Sequence, residues 1–125
     1  MRFLIVVCFL SLVVPNASIA SISEFRLGSY NGKGIVVSVG DQIISVEMSC
    51  ANGQFPRPSV HADGSFKAIG WLESELVMPD VHPVSTVFSG LINGDKIQFW
   101  VEEDGKKSSA YLLEKGDPQF LQKCQ

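Results

Sequence analysis

Histidine and cysteine are both scarce in this chain: 125 residues contain two histidines, His61 and His82, and three cysteines, Cys8, Cys50 and Cys124. No pair of them has the His-x-x-x-His or Cys-x-x-Cys spacing of a zinc site, and Met78 with His82 is the nearest approach to a soft, copper-binding pair. No metal or other cofactor is therefore expected. Gly-x-Ser-x-Gly and Ser-x-x-Lys are missing as well, which removes the common arrangements for acyl transfer. The basic residues form no run or stripe, so neither nucleic acid nor an anionic membrane is indicated as a partner. Beyond residue 14 there is no long apolar stretch, and hence no later candidate for a membrane anchor.

What is present begins with a leader. Arg2 precedes an apolar run over residues 3–14, Pro15 and Asn16 break it, and small residues follow at Ser18 and Ala20. This is the pattern of a secretory signal peptide over residues 1–20, cleaved between Ala20 and Ser21. The run is too short for a membrane span, which needs about 20 apolar residues. Cys8 lies in its middle behind Val7, not behind the small residue of a lipoprotein signal. The Asn16-Ala17-Ser18 glycosylation sequon falls within the same discarded piece. Residues 21–125 then form one small domain, expected to be secreted or periplasmic and monomeric, and loss of Arg2 takes the formal charge from −3 to about −4.

In an oxidising compartment the two remaining cysteines permit one intramolecular bond, Cys50–Cys124. Closing so long a loop would stabilise the fold by about 4 kcal/mol in the chain-entropy model.

Turn dipeptides punctuate the domain at Asn31-Gly32, Gly40-Asp41, Asn52-Gly53, Asp63-Gly64, Asn93-Gly94 and Asp104-Gly105. Their beat is that of consecutive antiparallel hairpins. Between them apolar residues alternate, Ile35, Val37 and Val39 on one face, then Ile44, Val46, Met48 and Cys50. Further strands are expected over 25–30, 55–60, 65–72, 84–92, 96–102 and 108–114. About eight strands, each with one apolar face, predict an all-β fold: a small antiparallel meander closing into a barrel, with a β-sandwich as the alternative. Asp117 and Pro118 can open a short C-terminal helical turn that carries Cys124 back to the body.

Residues 73–83 (ESELVMPDVHP) are too long for a hairpin loop and apolar in the middle, so they form either a lid over one barrel end or a contact surface. Trp71 and Trp100 alternate out of phase with the core residues around them, which turns them toward the barrel exterior and marks them as contact candidates.

The order of IISVEMSCANG at 43–53, DGSF at 63–66, FSGLINGDKI at 88–97, YLLEKG at 111–116 and the terminal LQKC resembles a group of small bacterial secreted proteins of unknown function. The resemblance spans nearly the whole mature chain and implies export, a β-rich fold and the disulfide. In place of the Gly-Gly-Pro run that often follows the Trp71 region in that group, this chain has Glu73-Ser74-Glu75-Leu76. Gly28-Ser29-Tyr30 is similar, more distantly, to the Gly-x-Trp of lipocalin and calycin barrels, which also tie a tail to the barrel by a disulfide.

These features predict a non-enzymatic exported binding module. It would engage a partner protein or a small apolar ligand through Trp71, Met78, His82 and Trp100. A small hydrolase using Glu73 and Glu75 or the histidines is one alternative, and a structural envelope protein is the other.

Overall fold

The structure is a computed structural model and describes residues 25–74 and 84–122. It is all-β, with β1 (Gly28–Gly32), β2 (Ile35–Val39), β3 (Ile43–Met48), β4 (Ala51–Pro56), β5 (Ser65–Ser74), β6 (Val84–Asn93), β7 (Lys96–Glu103), β8 (Lys106–Lys107) and β9 (Tyr111–Lys115). Each strand from β1 to β7 pairs antiparallel with the next, and β9 pairs with both β7 and β1. The sheet therefore closes as an eight-stranded meander barrel with β8 as an extra piece. Among the described residues, closure leaves no long free edge for another chain to extend.

β8 and β9 are two parts of one broken strand. The amide of Ser108 donates to the carbonyl of Val101, and the Val101 amide donates to Ser108 Oγ at 3.0 Å, carrying the ladder from the Glu102–Lys107 pair toward Phe99–Tyr111. The strand expected over 108–114 thus starts at Tyr111, after a bulge that absorbs residues 108–110.

Three turn assignments shift by one to three residues. Lys33-Gly34 turns between β1 and β2, with Gly34 at φ 71°, and Gly94-Asp95 turns between β6 and β7, with Gly94 at φ 63°. Asn52-Gly53 makes no turn. It lies inside β4, opposite Glu47 and Val46, while Ser49-Cys50 forms the β3–β4 turn. Cys50 is accordingly half-buried at a hairpin tip and is not an inward-facing strand residue. β4 ends at Pro56, short of the expected 55–60, because Pro56 and Pro58 cannot donate to a ladder.

The inward face is a packed aromatic core. Phe55, Phe88 and Phe99 stack with ring centroids 4.6 and 5.9 Å apart along the series, and Phe66 stacks on Phe99 at 6.4 Å. Aliphatic residues of β2, β3, β7 and β9 complete it. An eight-stranded barrel is just wide enough for side chains to fill it, and here they do. Gly90 makes the aromatic packing possible: it pairs with Phe66 on one side and Phe99 on the other, and a Cβ there would stand 2.6 Å from the Phe66 ring. One barrel end is plugged by Phe25, edge-on to Phe66 at 4.5 Å and to Tyr30 at 6.3 Å, with its carbonyl accepting from the Arg57 guanidinium.

The C-terminal segment runs outside the barrel without a helical turn. Residues 116–117 bend and 118–122 are irregular. The Asn31 amide replaces that helix as the organiser: its Nδ2 donates to the Asp117 carbonyl at 2.6 Å and its Oδ1 accepts from the Gln119 amide at 3.0 Å. Gln119 Nε2 in turn donates to the carbonyls of Gly32 and Ile35. These contacts consume the backbone groups that a helical turn would have used.

Candidate binding face

Strand alternation decides which side chains reach the exterior. On β5, Phe66 and Ala68 point inward, so Lys67, Ile69, Trp71 and Glu73 point out. On β7, Ile97, Phe99 and Val101 are core, which turns Gln98, Trp100 and Glu102 outward. Both tryptophans lie where the alternation of the sequence put them, outside and half-buried.

The register joins them. Trp71 stands opposite Ser85, Ile69 opposite Val87, and Trp100 opposite Ser89. Trp71 on β5, Val87 on β6 and Trp100 on β7 thus form a diagonal across three strands, with roughly 7–8 Å per step on ordinary sheet spacing. One strand, β6, separates the tryptophans in space, although 28 residues separate them along the chain.

Trp100 sits in the more polar surroundings. Lys107 Nζ lies 4.6 Å from its ring centroid, and Lys107 is also the cross-strand neighbour of Glu102. Around the ring is a shallow depression of about 530 Å³, walled by His61, Lys67, Ser89, Glu102 and Lys107. Next to it, the row Leu91–Gln98–Leu112 floors an open groove of about 700 Å³. Leu112 is 68% exposed and Ile69, on the other flank, 67%. The sequence reading missed Leu91 and Leu112, although both were recoverable: Leu91 shares the phase of Val87 and Ser89, and of the adjacent pair Leu112 and Leu113 only one can face inward.

The loop that borders this face is ordered by a local acid. Asp63 Oδ1 accepts from the Ser65 amide at 2.9 Å and from Ser65 Oγ at 2.6 Å. Those two hydrogen bonds, the hydroxyl's first, hold the Asp63 carboxyl below the ordinary aspartate range.

Among the described residues, the hydrolase candidates Glu73 and His61 do not converge. Glu73 stands near the last residue of β5, opposite Asn52, whereas His61 precedes its first residue, so the length of the strand, roughly 30 Å, lies between them. Glu75, Met78 and His82 lie outside the described residues. No group of three or more His, Cys, Asp or Glu side chains suited to a metal ion occurs among the described residues.

At the end where β5 finishes and β6 starts, Met48, Leu72, Val101 and Tyr111 surround a small concavity of about 380 Å³. Met48, Leu72 and Tyr111 are the partly buried rim of the core.

No family model, no curated protein and no solved structure matches this chain.

Proposed function

We propose that this chain is an exported, non-enzymatic binding module whose contact surface is the outer face of β5, β6 and β7, with Trp71 and Trp100 as its anchors. The observation that carries the reading is that both tryptophans stand on the outside of a barrel whose inside is already filled by aromatic side chains. A ligand cannot occupy the interior without displacing Phe55, Phe88 or Phe99, each at most 1% exposed. Binding must therefore use the surface, where large aromatic anchors supply most of the energy of a contact.

Export is supported by the leader over residues 1–20, and a water-facing role by the polarity of the barrel. Its outward positions include Glu47, Lys67, Gln98 and Glu114, the inverse of a barrel with an apolar band facing lipid. The Cys50–Cys124 bond belongs to the same proposal. Gln119 is held on the Ile35 carbonyl, Ile35 pairs with Met48, and the Cys50 turn follows directly, so five residues of chain, about 17 Å when extended, remain for Cys124 to reach it.

The test is retention of a partner from the extracellular or periplasmic fraction by the immobilised protein, with mass spectrometry of what co-purifies. Trp71→Ala with Trp100→Ala is expected to abolish that retention while leaving the thermal unfolding curve cooperative. Unchanged retention by the folded double variant would sink the assignment of the face.

A further inference from the structure

We propose that the depression at Trp100 is a sugar subsite, built for the pyranose ring of an acidic glycan whose carboxylate is taken by Lys67 and Lys107; this rests on the reading of the β5–β7 face as the contact surface. The chemistry around the ring favours that ligand. A flat indole offers its face to the C–H groups of a sugar, while the Ser89 hydroxyl, the Glu102 carboxylate and the His61 imidazole surround it with groups that bond to ring hydroxyls. Two lysines against one carboxylate leave the pocket net positive in a chain whose formal charge is −3. Attraction of an anion to this patch therefore runs against the overall charge and is local to it.

Lys107 has a defined part in this arrangement. Its ammonium now rests over the indole, 4.6 Å from the centroid. A cation–π contact at an exposed site contributes about as little as an exposed ion pair, so giving up one for the other costs the lysine little. A uronate arriving on the indole brings its own ring to the aromatic face and its acid to the ammonium, so the side chain swings off the ring and onto the acid, exchanging places with the sugar.

The same face suits a peptide poorly. Extended peptides add to a free sheet edge, and here β5, β6 and β7 are each paired on both sides. The depression is also shallow, without a deep apolar hole for an anchoring side chain.

The experiment titrates protein expressed from the full chain with a galacturonic acid trimer and, in parallel, with its methyl ester, which keeps the rings and removes the charge. The two tryptophans give two indole N–H resonances in a nitrogen–proton correlation spectrum. The expected result is a saturable shift of the Trp100 indole by the free acid, with affinity about tenfold lower for the ester. Trp100→Ala removes binding, Trp100→Phe retains it at reduced affinity, and Lys67→Ala with Lys107→Ala erases the preference for the acid. Lys33→Ala, on the remote β1–β2 turn, changes nothing. Absence of any shift at millimolar trimer overturns the glycan subsite, as does a retained partner that is a protein and is lost on protease treatment. In either case Trp100-dependent retention of that partner would leave the contact face standing, whereas retention indifferent to Trp100 would remove both.

Discussion

Asp63 and Ser65 illustrate how a single residue can organise a loop that nothing in its hydropathy explains. The carboxylate closes a turn onto the Ser65 amide and hydroxyl, and the charged form is the better acceptor of both. Its folded pKa is lowered, so the contribution is complete above the ordinary aspartate range and is lost as pH falls through the lowered value. Ser65→Ala removes the largest cause, and a carbon-detected titration of the Asp63 carboxyl is expected to move back up toward the aspartate range in that variant. An unmoved midpoint would mean that the hydroxyl does not set it. Asp63-Gly64 was legible as a turn from the dipeptide alone, with Gly64 at φ 88°, but the role of Ser65 was not, because a serine two residues after an aspartate is too common to read. Trp71 and Trp100 were legible for the opposite reason. Strand phase is a property of neighbours two residues apart, so one misfit in a core pattern is visible without coordinates.

At the level of the strand, the β4–β5 crossing shows where local rules give way. Asn-Gly is the strongest short hairpin signal, yet Asn52-Gly53 continues through β4. The glycine is required there by close approach: a Cβ on Gly53 would stand 2.2 Å from the Trp71 carbonyl oxygen, and one on Gly70 2.1 Å from that of Gln54. These obstacles are backbone atoms, which cannot swing aside as a side-chain tip does. Gly70→Ala is expected to destabilise the protein by at least the 1–3 kcal/mol typical of overpacking, measured by denaturant unfolding. Gly94→Asn, at a turn where nothing lies within 4 Å of the added Cβ and where asparagine tolerates positive φ, is expected to cost less than about 1 kcal/mol. Equal losses at the two positions would contradict the crowding argument. The β8–β9 bulge was illegible for a related reason, since the pause at 108–110 exists only because Ser108 completes a ladder on Val101.

For the molecule as a whole, the seam and the tail are the points of interest. β9 pairs with β1 at Tyr30–Lys115 and Asn31–Glu114, the shortest run of paired residues between neighbours in the closed barrel. Over the neighbouring outer surface runs the C-terminal segment, held by Asn31 and Gln119. Val36 points out of the barrel yet is 4% exposed, and Leu121 is 8% exposed, although neither belongs to the barrel core. Val36 and Leu121 are thus covered outside the barrel core, whereas Phe120, next to Leu121 in the segment, is 93% exposed. If the proposed Cys50–Cys124 bond fastens this strap, Cys124→Ser is expected to lower stability by about 4 kcal/mol, and less if the native bond is strained. Thiol titration of the unreduced wild-type protein should find no reactive group. Two reactive thiols would dismiss the bond.

The division between the two levels of information follows from range. Strand phase and the all-β, hairpin-connected class are set by residues near one another in the chain, because alternation and turn chemistry act over two to four positions; these the sequence determined by itself, whereas closure as a barrel and not a sandwich rests on the pairing of Tyr30 with Lys115 and of Asn31 with Glu114. The β4 path, the bulge, the Asn31 clamp and the alignment of Trp71 with Trp100 depend on which backbone lies one strand away. Only the tertiary structure decided them, since the contacts that select them join Asn31 to residues near 117 and Gly70 to Gln54, pairs that no local pattern connects.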